Sequence, residues 1–382
     1  MTSGAGRARG AGPPGRKGLA HVAPEPIVAA VLLLAAVIFP LVITSETATQ
    51  IAVDTLLFVA AAVAWNLFSG FSGYISLGHA VFFGSGAYTV GLVALHQNLM
   101  GGVTFALLPL GGLVAAAIAV PFGLIALRVR RHTFVVITIA VFFIFQLMAF
   151  NLAFTYGNGG VSTPFATWDP ATYNNPYYYA AFLIAVGAIA LSWLIRGSRF
   201  GLQLLAIRDD EDRARGLGVR AMRVKLTAFV ISAFVTGIVG GLWVLFIGQA
   251  LPETAFNPAY DLSVALMGFL GGFGTLWGPV LGALLLEPLQ QEITQRFTSG
   301  YESLIVLGGL FLLVILFLPR GLIPTGKEWA DGLRAWWERR GQPRPGDGLA
   351  VPGTAVAGPA DGPVATAGAA ERSGAPGPGG AR

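Results

Sequence analysis

Nine long apolar stretches dominate the chain, at roughly 27–44, 51–68, 75–95, 104–127, 133–152, 177–195, 225–249, 262–286 and 302–318. A helix needs about 20 apolar residues to cross the hydrocarbon of a bilayer, with a working range of about 17–25. Inside lipid every backbone polar group must be satisfied by the protein itself, so only helices and closed β-barrels cross. Barrel strands are about ten residues long and alternate apolar with polar. The run 107–127 is apolar on every side, which selects helices. The expectation is an all-α, polytopic membrane protein. Only 11% of the 382 residues are charged, against about 25% in a soluble domain, too few to hydrate an ordinary surface.

The basic residues sort to alternate connections. Four precede the first stretch (Arg7, Arg9, Arg16, Lys17), three lie at 128–131, eight within 196–225 and eight from Arg320 onward, together 23 of the 24. The connections 45–50, 96–103, 153–176 and 250–261 have none. Lys and Arg stay on the cytoplasmic side, so both termini and the 196–225 segment are expected there. The net charge of +5 is then topogenic, and no nucleic-acid partner is expected.

Termini on one side require an even number of crossings, and nine is odd. Gly271, Gly272, Gly274, Gly278 and Pro279 interrupt the stretch 262–286, and glycine and proline at that density break a helix. Two short limbs are expected, about 261–270 and 279–295, entering and leaving from the outer face. That leaves about eight crossing helices. The third stretch, with Gly70, Gly73, Gly78, Gly84 and Gly86, is a second candidate for a break. Residues 1–26 and 326–382 are rich in Gly, Ala and Pro and read as disordered tails around a membrane domain at 27–325. Arg16 and Lys17 also suit a signal peptide, but the 18 apolar residues that follow exceed the usual core of about 7–15, so a retained helix is expected.

The centres of all nine stretches lack Asp, Glu, Lys and Arg. Asp54 sits near a helix start, and Asp261, Glu287 and Glu302 near ends. Proton-coupled carriers place ionisable groups inside the membrane, and general acid–base catalysis needs titratable groups within reach of substrate. Both readings are disfavoured; sodium coupling through backbone carbonyls stays open. There are no cysteines, and the four histidines are scattered, so no metal site is expected. The run from Gly321 to Lys327 imitates a phosphate-binding loop, but Glu328 stands where Ser or Thr would hold magnesium.

The segment 196–225 is the most distinctive sequence outside the apolar stretches. Ser198 suits the cap of a short helix carrying Leu202, Leu205 and Ala206. Asp209 or Asp210 suits the cap of a second, running to about Leu217, with Gly218 as its left-handed terminator. Two short helices at an angle form a plug for a groove on another protein; a solvated basic loop is the competing reading.

From Trp65 to Thr89 the chain reads WNLFSGFSGYISLGHAVFFGSGAYT; AIRDDE follows at 206–211, GLGV at 216–219, GGFGTLWGP at 271–279 and LPRGL at 318–322. These runs resemble the branched-chain amino acid ABC transporter permeases of the LivM type, over about 27–325. The resemblance implies a bacterial plasma-membrane subunit that pairs with a second, LivH-like permease and two cytoplasmic ATPases. An extracytoplasmic binding protein would deliver Leu, Ile or Val. No cofactor is implied in this chain, since ATP would bind the partners. An ATPase-coupling role is implied for Gly201, Ala206, Ile207, Arg208, Asp209, Glu211, Gly216, Leu217 and Gly218. A related group carries urea or short amides, and an ion-coupled carrier remains an alternative.

The glycine-rich stretches are the expected lining of the translocation path, with Asn66, Gly73, Ser76, Gly78, His79, Gly271, Gly272 and Gly274 as candidate residues and Gln146 and Asn151 as weaker ones. Freed backbone groups at membrane depth must face protein or a wet cavity. Close helix packing competes for each glycine, and helix-to-helix hydrogen bonding competes for His79. Trp168, Tyr173 and Tyr177 to Tyr179 are expected as an aromatic belt on the outer face.

Overall fold

The computed structural model describes residues 36–43, 45–164, 166–169 and 172–296, with isolated positions between 305 and 329. The stretch 302–318 and both tails fall almost wholly outside these residues, as does most of 27–44.

The described elements are almost all helical. They are α1 (Glu46–Ser72), α2 (Ala80–His96), a 3-10 turn at Gly101–Leu107, α3 (Leu108–Ala126), α4 (Arg131–Asn151), α5 (Asn174–Gly197), α6 (Arg199–Asp209), α7 (Glu211–Gly216), α8 (Ala221–Ile247), α9 (Pro252–Ala255), α10 (Pro258–Gly271) and α11 (Gly278–Arg296). Two-residue strands, β1 (Val161–Ser162) and β2 (Gln249–Ala250), pair antiparallel. Among the described residues, five helical stretches are long and apolar enough to cross a membrane: α1, the 3-10 turn with α3, α4, α5 and α8.

Helices α1 and α8 form the interior. At their centre Phe229 meets the rings of Phe68, Phe82 and Phe122 at 4.8, 5.2 and 5.4 Å. Helices α3, α4 and α5 turn large side chains outward, among them Ile125, Val136, Leu147, Leu183 and Leu194. An apolar exterior around a close-packed interior is what a lipid solvent requires. With no apolar driving force between helices in lipid, close approach of small residues holds them together. A Cβ at Gly86 on α2 would strike the carbonyl of Gly237 on α8, and one at Gly240 would strike that of Phe83.

The two ends of the bundle differ. At one, the C-terminus of α1, the start of α4, helices α6 and α7, and the start of α8 meet around Arg131, Arg208 and Lys225. At the other, Asn174 reaches Glu46 and Thr49, and β1 pairs with β2. This second end carries the connections without Lys or Arg.

Both glycine-rich stretches are broken. The eighth splits into α10 and α11, close to the limbs read from the sequence. In the third, helix begins only at Ala80, and α2, at 17 residues, is short for a full crossing. Gly73 closes α1 in the left-handed region (φ 75°). Residues 73–79 then run non-helically, with their backbone groups taken up by side chains. Ser72 Oγ accepts from Tyr74 N–H (3.2 Å), Ser69 Oγ from Ser76 N–H (3.2 Å) and Thr138 Oγ1 from Leu77 N–H (3.1 Å). Trp65 Nε1 donates to the Ser76 carbonyl (2.8 Å). Asp261 Oδ1 of α10 accepts from Ala80 N–H (2.9 Å), so a carboxylate lent by another helix caps the positive end of α2.

Candidate functional site

The segment 196–225 folds as its capping residues dictate. Ser198 Oγ accepts from Gly201 N–H (3.2 Å) and starts α6; Asp210 Oδ1 accepts from the N–H groups of Asp212 and Arg213 (3.0 Å each) and starts α7. Gly218 follows α7 in the left-handed region at φ 88°. The pair is fastened to the membrane helices on its inner side. Arg131 Nη2 of α4 donates to the carbonyls of Ile207 and Arg208 (2.7 Å each), a cation at the C-terminus of α6. Arg208 Nη1 donates to the Gly70 carbonyl of α1 (3.0 Å), and its guanidinium lies 5.3 Å from the Phe273 ring centre. Arg196 Nη1 donates to the Gly274 carbonyl (3.3 Å).

A second fastening centres on Glu211. Its carboxylate accepts from Tyr74 Oη, from Lys225 Nζ (2.9 Å) and from Arg215 Nη2 (2.5 Å). Lys225 is 1% exposed and also donates to the Leu127 carbonyl (3.4 Å). Burial pushes the Glu211 carboxyl upward, but the Tyr74 and Lys225 hydrogen bonds and the Lys225 and Arg215 charges outweigh it, holding the pKa below the ordinary value. For Arg208, burial lowers the pKa; Asp209 opposes the shift, and Arg196 and Arg131 add to it.

The nine expected coupling residues therefore divide. Gly201 and Ile207 are buried, and Arg208 and Glu211 face the helix ends. Ala206 is half-buried; Asp209, Gly216, Leu217 and Gly218 are exposed. Leu202 and Leu217 stand 62% and 87% exposed, apolar side chains on an otherwise charged end. Leu204, Ile207 and Ala214 are the ones that pack inward.

The break between α10 and α11 sits against this segment. Asn66 of α1 accepts from Gly274 N–H and donates to the Thr275 carbonyl (2.8 Å each), as a peptide group would. Thr275 Oγ1 accepts from Gly278 N–H (3.0 Å) at the start of α11. Gly272 and Gly274 take φ of 132° and 74°, and a Cβ at Gly271 would strike the Gly278 carbonyl. Gly321, in the run that imitates a phosphate loop, lies against this same break: its Cβ would come 2.6 Å from Gly272 Cα.

His79 is 1% exposed within the aromatic core. Ser232 Oγ donates to the Ala64 carbonyl (2.7 Å), which spends its single proton. It can then only accept from His79 Nε2–H (2.8 Å), leaving Nδ1 to accept from Ser76 Oγ (3.0 Å). His79 thus ties α8 to the residues before α2. Gly78 gives close approach: its Cβ would come 2.7 Å from the Thr138 carbonyl oxygen. Gln146 Nε2 donates to the Phe256 carbonyl (2.6 Å), and Asn151 bonds only within α4. None of the expected path residues lines the cavity of about 270 Å³ between α1, α2, α8, α10 and α11.

The aromatic belt needs correction. Tyr177 and Tyr178 are 4% and 3% exposed. Trp168, Tyr173 and Tyr177 pack together, with centroids 5.3–6.0 Å apart. Tyr178 and Tyr179 hydroxyls bond the carbonyls of Ala36 and Val37 (2.7 and 3.3 Å). Tyr177 and Tyr178 therefore turn into the bundle instead of outward, while Trp168, Tyr173 and Tyr179 stay half-buried. The sequence reading missed Tyr74, Arg131, Lys225 and Ser232. Each is one of many similar residues along the chain, and only tertiary contact singles it out.

The family model for the branched-chain amino acid transport system permease component matches residues 47–315. The chain belongs to this family. The permease is 31% identical to the high-affinity branched-chain amino acid transport permease LivM of Salmonella typhimurium, over 77% of this chain and 73% of that one. It is 30% identical to LivM of Escherichia coli over the same shares. It is also 25% identical to LivH of Escherichia coli, over 69% of this chain and 89% of that one. No solved structure matches it. Family and apolar helices together make it a multi-pass membrane transporter subunit.

Proposed function

We propose that this permease forms half of the translocation path of an ATP-driven importer of branched-chain amino acids. A LivH-like permease supplies the other half; likeness to both LivM and LivH suits a pseudo-symmetric pair. Two ATPase subunits dock at the basic end, on the cytoplasmic side with both termini, and a binding protein delivers substrate to the opposite end. The α6–α7 pair carries this reading. It is a rigid, capped unit whose inner side is hydrogen-bonded to α1, α4 and α8 and lies through Arg208 against Phe273 in the α10–α11 break, while Leu202 and Leu217 point away from the bundle. Force applied to that unit reaches three helices through hydrogen bonds and needs no ionisable group at the membrane centre.

The test is purification of the tagged permease from detergent, followed by uptake measurements on the recovered assembly in vesicles supplied with binding protein. Co-purification of a second permease and two ATPases, with ATP-dependent leucine uptake, is the expected outcome. Recovery of the chain alone, or uptake driven by a sodium gradient without ATP, overturns it.

A further inference from the structure

The cavity of about 270 Å³ lies in the half of the bundle away from the basic end. Asp54, on its wall, stands eight residues into α1, about 12 Å from the start of that helix. Trp243 lies four residues before the end of α8. A pocket that encloses a drug-sized ligand measures about 300–1,000 Å³, so this one suits something smaller.

Its chemistry is one-sided. Asp54 is 9% exposed, and among the described residues its one hydrogen bond is a 3.4 Å contact from Gln291 Nε2. None of the three ion pairs among the described residues involves it. Gln290 Oε1 and the Tyr260 hydroxyl, both on the wall, are buried without partners, and so is Glu287 Oε2 behind Gln291. The unpaired groups are thus mostly acceptors, and among the described residues no cation meets them. An isolated carboxylate held away from water costs several kcal/mol unless a cation joins it or a proton neutralises it. One part of the wall is aromatic: Phe83 lies 4.4 Å from Tyr260 and 5.3 Å from Trp243, and Phe58 lies 5.6 Å from Tyr260, between ring centroids. Among the described residues no three His, Asp or Glu side chains converge as a metal cage would require.

An ammonium group fits this wall. It brings three donors to a set of empty acceptors, and aromatic faces attract a cation within about 6 Å of the ring centroid. Its attached aliphatic side chain would lie on Phe58 and Val239. Asn257, whose Oδ1 already accepts from Ala259 N–H (2.8 Å), keeps its amide nitrogen for a carboxylate. We propose that this cavity is a binding site for the amino acid in transit, with Asp54 the counterion of its ammonium group, an inference that rests on the importer reading above. The site uses none of the glycine-rich positions expected to line the path.

The test uses the whole assembly in vesicles with its binding protein. Asp54→Asn keeps the shape and removes the charge. Leucine uptake should fall fivefold or more, while ATP hydrolysis stimulated by the loaded binding protein persists; a smaller fall in uptake overturns the site. If that variant does not assemble, photolabelling of the wild-type assembly with a diazirine analogue of leucine decides. Label on peptides containing 54–58 or 257–263 supports the site, and label only elsewhere overturns it. A wild-type assembly that takes up no branched-chain amino acid removes the importer reading itself, and does so before any variant is compared.

Discussion

At the residue scale, single polar side chains carry contacts that the apolar background makes costly to lose. Asn66 satisfies a donor and an acceptor in the α10–α11 break. Replacing it with leucine should cost about 1–3 kcal/mol for each group left unpaired, read as a lowered midpoint of thermal unfolding in detergent. Lys225 and Glu211 form a pair with one deeply buried partner. Glu211→Gln leaves the ammonium without its counter-charge and should cost about 3 kcal/mol, near the low end for breaking a buried pair because Glu211 is partly exposed. Adding Lys225→Met should recover much of that loss, and a double-mutant cycle on the unfolding midpoint measures the coupling. Because the folded-state pKa of Glu211 is depressed, its contribution is complete above the ordinary carboxylate value of 4.5. It is lost as pH falls below that value and through the lower folded-state one.

At the scale of elements, the two glycines at the end of α7 have different duties. Gly218 sits at φ 88°, where a β-branched residue is an outlier costing about 1–3 kcal/mol. Gly216 has a negative φ and nothing within 4 Å of where its Cβ would be. Gly218→Val should therefore uncouple ATP hydrolysis from uptake, whereas Gly216→Ala should leave their ratio unchanged. Equal effects would show that the turn geometry is not what matters. Packing of α3 on α8 follows the same logic. Gly237→Leu inserts a side chain where a Cβ would already come 2.8 Å from the Gly111 carbonyl oxygen, and should abolish recovery of folded protein on size exclusion.

At the scale of the molecule, charge distribution and contact map agree on two unlike ends. The chain has no cysteine, so single introduced thiols report sidedness cleanly. Leu217→Cys should react with an impermeant maleimide only in inside-out vesicles, and Asn98→Cys only in intact cells; the reverse pattern would invert the proposed orientation. Sequence by itself determined the helical class, the interruption at 271–279, the Ser198 cap of α6, the cap of α7 to within Asp209 or Asp210, and the unlike ends. Each of these depends on local chemistry: hydropathy over about 20 residues, glycine and proline within a run, a side chain reaching its own backbone, the count of cations in a loop. What only the tertiary structure decided is which side chains meet across the bundle. It assigned His79 to Ser232, buried two tyrosines of the expected belt, brought Arg208 to Gly70 and set Asp54 before an aromatic wall. Partners of that kind are separated by up to about 240 residues, and no local pattern records them. In lipid every unpaired polar atom is costly, so the fold itself selects which of many similar residues must pair.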